Sequence, residues 1–397
     1  MGISSTLAAA ESFSGAVNTK KAAAEVAESV LGQLGQSPDL GVVFFTPQHR
    51  EQVSNLHREI QSRLGPDVLI GCSSSGTIGA GQEHQVGPGI SLWAACAPGA
   101  RVQSFHLSLT EMEGGGFVRG WPDVGPEASV ILLVDPFGFP LDPFLSSLRK
   151  GGKYPTLIGG LASGANRFGG NLLIENDHVV SSGAVGFVID GAARFQPLVS
   201  QGCRPIGQPL RVTRSQKNIV LELNGAPACE LFNQTMGSLE EEERLRFSRA
   251  PHVGIHEGGE EYEGGAGSFR VRGIMGLDNQ EGSMAIADFV NEGMVLQFHT
   301  KDGEAAHDDL NQILGIATGF YPSPAGALMF ACSGRGLPLF GRSDHDIALI
   351  QAHYPKLPVS GMFAAGEIGP CGGQPFIHGF AVTAGLLVPQ EGEFHPY

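Results

Sequence analysis

Charge is the first thing this chain has little of. Asp, Glu, Lys and Arg make up 16% of its 397 residues, and 25 basic side chains stand against 40 acidic ones, a formal charge of -15. No Lys/Arg cluster interrupts that acidic excess for long, which makes nucleic acid and anionic membrane surfaces poor partners. Long apolar runs are missing too. No segment approaches the roughly 18 consecutive apolar residues of a membrane span, and the opening residues join no basic stretch to an apolar one as a secretory leader would. The six cysteines, Cys72, Cys96, Cys203, Cys229, Cys332 and Cys371, lie far apart without C-x-x-C or Cys/His spacing. That argues against a zinc site or a redox pair and for reduced thiols in a cytoplasmic protein. The phosphate-loop pattern G-x4-G-K-[ST] is absent, and no cofactor or metal is expected. One short pattern, Met1-Gly2-Ile3-Ser4-Ser5-Thr6, fits the M-G-x-x-x-[ST] rule for N-myristoylation at Gly2.

What is abundant is glycine. The 58 glycines are about twice the usual share, yet they follow no G-X-Y period, so they mark tight turns between ordered elements. GVVFF (41–45) reads as a short buried strand, and Thr46-Pro47 has the chemistry of a helix start. Val53, Leu56, Ile60 and Leu64 then form one apolar helical stripe that Gly65 terminates. DVLIGCSSSGTIG (67–79) is a strand running into a glycine turn, and PGISLWAACA (88–97) is the strand that returns.

The same β-α-β-turn-β grammar recurs. SVILLVDP, LDPFLSSLRKG, TLIGGLASGA and SGAVGFVID repeat it over 129–190; GALMFACSG, HDIALIQAHY, PVSGMFAAGEIG and HGFAVTAGLLVP repeat it over 326–389. GCSSSGTIG (71–79) and GMFAAGEIG (361–369) share G-x4-G-x-I-G. A weaker fourth copy is read in NIVLELNG, APACELFNQTMG, SFRVRGIMGLD and SMAIADFV, with a turn at Asn224-Gly225. The repeats imply an α/β fold on the α+β border, built from βαββ units with mixed sheets flanked by helices. They are divided here into two related halves, 1–205 and 206–397, joined by the polar, turn-rich QGCRPIGQP (201–209). The Ala-rich segment 19–34 adds a helix, and the charged LEEEERLRFSR (239–249) and HEGGEEYEGGAG (256–267) read as solvated surface.

Chemistry concentrates at the glycine turns. In Gly71-Cys72-Ser73-Ser74-Ser75-Gly76, the hydroxyls of Ser73, Ser74 and Ser75 and nearby N–H groups can hold a carboxylate or other oxyanion. They can equally satisfy the turn's own backbone. In GMFAAGEIGPCGGQPFIHGF (361–380), Glu367 and His378 are candidate ligand contacts, and Cys371 is a candidate thiol nucleophile if His378 serves as its base. Arg335, in Ser333-Gly334-Arg335-Gly336 after a strand, is placed to meet a ligand carboxylate in an open crevice or to form a surface ion pair. His307-Asp308-Asp309 and Asp344-His345-Asp346 sit at predicted helix starts, where acids offset the helix dipole, so they are not read as metal sites.

LIGCSSSGTIG, the GGLASG block, VRGIMGLD, GALMFACSGRG and above all LPVSGMFAAGEIGP…PFIHGFAVTAGLLVP resemble the FIST family, named for F-box and intracellular signal transduction proteins, over residues 35–385. The resemblance implies tandem FIST N- and C-terminal regions and a sensory module for a small ligand, with amino acids or their derivatives as proposed ligands. It also implies fusion to signalling domains or, in eukaryotes, an F-box. Here the flanking residues hold neither, so signalling would pass to a partner protein. The leading expectation is a cytoplasmic receptor whose two halves bury a small polar metabolite in a hollow shared by the glycine turns, with Ser73, Ser74, Ser75, Arg335, Glu367 and His378 as contacts. The alternatives are a hydrolase or transferase using Cys371 and His378, and a protein-interaction scaffold.

Overall fold

The computed structural model describes residues 6–112, 115–257 and 269–390; Gly2 and most of the acidic 256–267 stretch lie outside them. Three strand-helix-strand units carry the fold. Leu40–Phe45 runs parallel to Val68–Ser73 and antiparallel to Ile90–Cys96. Ser129–Val134 has the same relation to Thr156–Leu161 and Ala184–Gly191, and Gly326–Cys332 to Val359–Ala364 and Ala381–Pro389. The intervening helices are Val53–Arg63, Leu141–Gly151 and His345–His353. Each unit's leading strand is buried along its whole length. That burial is why LGVVFF, SVILLV and GALMFAC are continuous apolar runs and do not alternate.

Each unit then gives its turn hairpin away. Thr77–Gly79, after the first corner, pairs with Val359–Ala364 of the third unit. Leu173–Glu175, after the second, pairs with Val68–Ser73 of the first, and Glu367–Cys371, after the third, pairs with Thr156–Leu161 of the second. The exchange is a closed cycle. A further strand precedes each unit and completes its sheet: Ala8–Ser14, Ala100–Met112 and Ala193–Gln201. The inner faces of all three sheets share one core that includes Phe44, Ile70, Ile131, Phe187, Phe330 and Met362. The outer faces pack on helices through Val26, Val30 and Ile60, through Phe144 and Leu145, and through Leu314, Ile347 and Ile350.

The compact units are not divided by a single cut at 205/206. One comprises Met1–Ser200, Leu310–Ile377 and Ala381–Tyr397; the other comprises Gln201–Asp309 and His378–Phe380. The reason is the strand exchange, which ties residues 326–377 to residues 68–161. The fourth copy is corrected. Ile219–Leu223, Arg270–Asp278 and Ser283–Ile286 belong to an antiparallel sheet ordered Cys203–Gln216, Val295–Lys301, His252–His256, Arg270–Asp278, Ser283–Ile286, Ile219–Leu223 and closed by a pairing of its first and last strands. Among the described residues it holds no parallel pair, and its interior is filled by Val253, Ile255, Phe232, Phe247 and Phe298. Thr46 does not cap a helix. Its hydroxyl accepts from Gly89 N at 2.9 Å, and Pro47–Gln52 forms a 3-10 turn before the α-helix. Among the described residues no helix is long and apolar enough to cross a membrane.

Candidate functional site

The glycine turns owe their position to one steric fact repeated three times. Gly71, Gly159 and Gly361 stand opposite Val43, Leu132 and Met329 in the parallel pairs. A β-carbon at any of them would lie 2.4, 1.9 or 2.0 Å from the facing carbonyl oxygen. Glycine at these places lets the second strand of each unit press against the first, and four residues later each strand turns at Ser75-Gly76, Ser163-Gly164 or Ala365-Gly366.

The three turns meet at one end of the sheets, hereafter the apex. Ser75 N donates to Ser163 Oγ at 2.8 Å, and the Ser163 hydroxyl donates to the Phe363 carbonyl. Phe363 N donates to Gly76 O at 3.0 Å, Leu161 N to Gly366 O at 2.9 Å and Ala365 N to Leu161 O at 3.0 Å. The corners do not enclose the hollow expected between them. Below these bonds Gly160 packs so closely that its β-carbon would stand 2.8 Å from Met362 Cε and 3.1 Å from Ala364 Cβ, and Ala162, Ala364, Met362 and Phe330 are core. What the apex offers is a surface. Ser75, Ser333 and Ala365 are exposed there, and Ser163 is half-buried.

Beneath that surface the polar groups sort into two clusters. In the first, Ser73 is buried, its Oγ accepting from Leu172 N at 3.0 Å and donating to Asn171 Oδ1 at 3.3 Å. Asn171 Nδ2 in turn donates to Asp135 Oδ1 at 3.2 Å. Ser74 is also buried, and its hydroxyl has no partner. In the second, Arg335 is 0% exposed and donates from Nε and Nη2 to the two Asp346 carboxylate oxygens at 2.7 and 2.9 Å. Burial alone would raise the Asp346 carboxyl, but the Arg335 charge and hydrogen bonds, with help from His345, hold it down at about 2. Arg335 therefore does not face an open crevice. Its charge is matched inside the protein.

Glu367 is fully buried, with Oε2 accepting from Ala381 N at 3.1 Å and Oε1 without a partner. Burial drives its carboxyl well above the ordinary value, the Ala381 N–H and the Arg335 charge pulling the other way. Such a carboxyl holds its proton to higher pH than a free one, and in that form it can donate as well as accept. Cys371 is half-buried on the Glu367–Cys371 strand, while His378 is buried and grouped with the second compact unit. Among the described residues no cluster of three or more His, Cys, Asp or Glu is placed to hold a metal. Two open clefts, of about 700 Å³ beside Cys229 and Asn279 and about 460 Å³ beside His57 and Asp177, include no corner residue. Neither holds a partnerless buried carboxylate, so the apex remains the stronger site.

Ser163, Asn171 and Asp135 do not stand out in the sequence by residue type, although a signal exists. Ser163-Gly164 matches Ser75-Gly76 at the same distance after the strand glycine, and Val134-Asp135-Pro136 matches Phe45-Thr46-Pro47 at the end of a leading strand.

Comparison with known proteins agrees with this architecture. The FIST N domain model matches residues 39–226 and the FIST C domain model residues 228–370. The chain belongs to the FIST family. FIST domains are sensory domains that bind small ligands. The chain is 34% identical over 376 residues to uncharacterized protein Rv0628c of Mycobacterium tuberculosis, covering 94% of this chain and 97% of the relative. It is 32% identical over 374 residues to uncharacterized protein Mb0898c of Mycobacterium bovis, covering 94% and 96%. The two FIST regions meet at Pro227, in the short Ala226–Pro227 strand that pairs with Ile219–Leu223 of the antiparallel ring.

Proposed function

We propose that this FIST protein is a cytoplasmic sensor that binds an amino acid or similar small polar metabolite at the apex and passes the signal to a protein partner. One observation carries the reading: the C-terminal ends of three parallel strand pairs converge where buried oxygen atoms, Ser74 Oγ among them, lack hydrogen-bond partners. Open α/β sheets take ligands at the carboxyl ends of their strands. Partnerless buried polar atoms are costly unless something meets them. Ser74 and Ser75 are the proposed corner contacts, Ser75 from the surface and Ser74 from below. Arg335 and Glu367 form the support beneath. The acidic charge and separated thiols support the cytoplasmic setting.

A thermal-shift screen of amino acids, small amines and small carboxylates tests the reading. A ligand at about 100 times its Kd adds about 2.7 kcal/mol. Ser75 is exposed, so Ser75→Trp should leave the melting temperature of the free protein nearly unchanged and abolish the ligand's shift. Silence across the whole screen removes the sensor reading.

A further inference from the structure

The cleft of about 700 Å³ beside Cys229 belongs to the second compact unit and has two walls of different origin. One is the start of the Ala228–Ser238 helix, which contributes Glu230 and Asn233. The other is the turn between Arg270–Asp278 and Ser283–Ile286, which contributes Asn279 and Glu281. Both are pinned by the backbone. Cys229 N donates to the Gly282 carbonyl at 2.9 Å, and Asp278 Oδ1 accepts from Gln280 N at 2.9 Å and from Glu281 N at 3.1 Å. A β-carbon at Gly282 would stand 2.9 Å from Pro227 Cβ, so the walls touch at their base.

Cys229 is the floor, 3% exposed. Its thiol donates to Asn279 Oδ1 at 2.9 Å, and its sulfur accepts from Asn233 Nδ2 at 3.8 Å. A thiol has one proton to give, so these two contacts fix which end of each amide is used up. Asn279 keeps its NH₂ group for a ligand on one wall, and Asn233 keeps its carbonyl on the other. A flat group carrying one acceptor and one donor answers that arrangement, and a peptide bond is such a group. Pockets for compact small molecules are mostly apolar. This one is open, and apart from Pro227, Gly282 and the thiol every lining residue carries an amide or a carboxylate. Among the described residues no Lys, Arg or His lines it to offset Glu230 and Glu281, so their charge repels an anion and favours a basic group.

We propose that this cleft docks an extended, basic peptide segment of a partner protein, one peptide bond lying between Asn233 and Asn279 and a basic side chain reaching Glu230 and Glu281. Cys229 is a positioning residue that sets the two amides. The inference uses no apex residue and stands or falls separately from the apex reading.

The test is calorimetry on the full chain at neutral pH and low salt, with acetyl-Gly-Arg-Gly-Arg-Gly-amide, its glutamate and citrulline counterparts, and a copy methylated at the backbone nitrogens. The arginine peptide should bind and the glutamate peptide should not. Citrulline in place of arginine should weaken binding by up to about fivefold, the worth of exposed ion pairs. The methylated copy should lose about fivefold to tenfold, and so should Asn233→Ala, a change at an exposed helix position. Cys229→Ala should weaken the arginine peptide as well, and Cys229→Ser, which keeps a donor and an acceptor, should restore most of the affinity. Arginine-peptide binding undiminished in the Asn233→Ala, Asn279→Ala double variant is general attraction to an acidic chain and overturns the proposal. A glutamate peptide that binds as well as the arginine one overturns it too, as does silence from every peptide at millimolar concentration. Equal losses in Cys229→Ser and Cys229→Ala, at unchanged melting temperature, overturn the orientation of the amides on which the peptide-bond contact depends.

Discussion

At Gly159 an added β-carbon would stand 1.9 Å from the Leu132 carbonyl oxygen, and backbone cannot step aside as a side-chain end can. Gly159→Ala should therefore cost more than about 3 kcal/mol, visible as a lower urea midpoint. Gly32 lies inside the Thr19–Leu34 helix with nothing within 4 Å. Gly32→Ala should stabilise by roughly 0.5–1 kcal/mol in the same measurement. Sequence alone cannot separate these glycines, since both sit in ordered elements and only the facing strand distinguishes them. Arg335 is misleading in the sequence for a related reason: its neutralising partner, Asp346, comes eleven residues later across a turn and a helix start. Asp346→Ala, which strands that guanidinium, should cost about 3–5 kcal/mol. Glu367 gives a signed pH effect. Its folded carboxyl titrates well above the ordinary value of 4.5, so the folded state keeps the proton longer than the unfolded one. Stability is full below the ordinary value and declines as pH rises toward the folded value. Glu367→Gln should flatten that decline and raise stability at pH 8 relative to wild type, with denaturant titrations at pH 5 and pH 8 as the check.

Between elements, Glu83 shows how the exchange is held. It lies on Gln82–His84, the far strand of the first unit's donated hairpin, and its carboxylate accepts from Asp344 N, Asp346 N and Ile347 N at 3.1, 2.9 and 3.2 Å. That is the service a capping side chain gives its own helix, delivered here from another unit. Glu83→Ala should cost about 1–2 kcal/mol. The leading strands and main helices of the three units are legible in the sequence because each strand is a wholly buried apolar run bounded by glycine or proline. Ala8–Ser14 and Cys203–Gln216 are not, since their residues are mostly half-buried or exposed and polar groups interrupt any period. Pairing partners are unreadable: nothing in TIG or EIGPC says that it leaves its own sheet.

For the molecule as a whole, counting copies is easier than dividing them. Three clear repeats are visible, yet a cut into two halves does not follow from three units that trade strands in a cycle. The antiparallel ring is a separate matter, and acid should find it first. Burial lowers both His252 and His299 to about 4. The unfolded chain takes up their protons near pH 6.5, so stability is present above that value and is lost as pH falls toward 4, at roughly 1.4 kcal/mol per histidine for each pH unit crossed. Tryptophan is absent from residues 201–309, so hydrogen exchange of the ring amides between pH 7 and pH 4.5 is the suitable readout. Replacing His299 with Gln should blunt the loss.

The cyclic trade of hairpins bears on how the protein can be taken apart. A fragment ending at residue 226, where one FIST region gives way to the next, keeps Thr156–Leu161 but loses the Glu367–Cys371 strand that covers its flank, and retains a Thr77–His84 hairpin with no host. Such a piece should precipitate alone and become soluble when the remainder is synthesised beside it, as two interlocked rings hold only while neither is open.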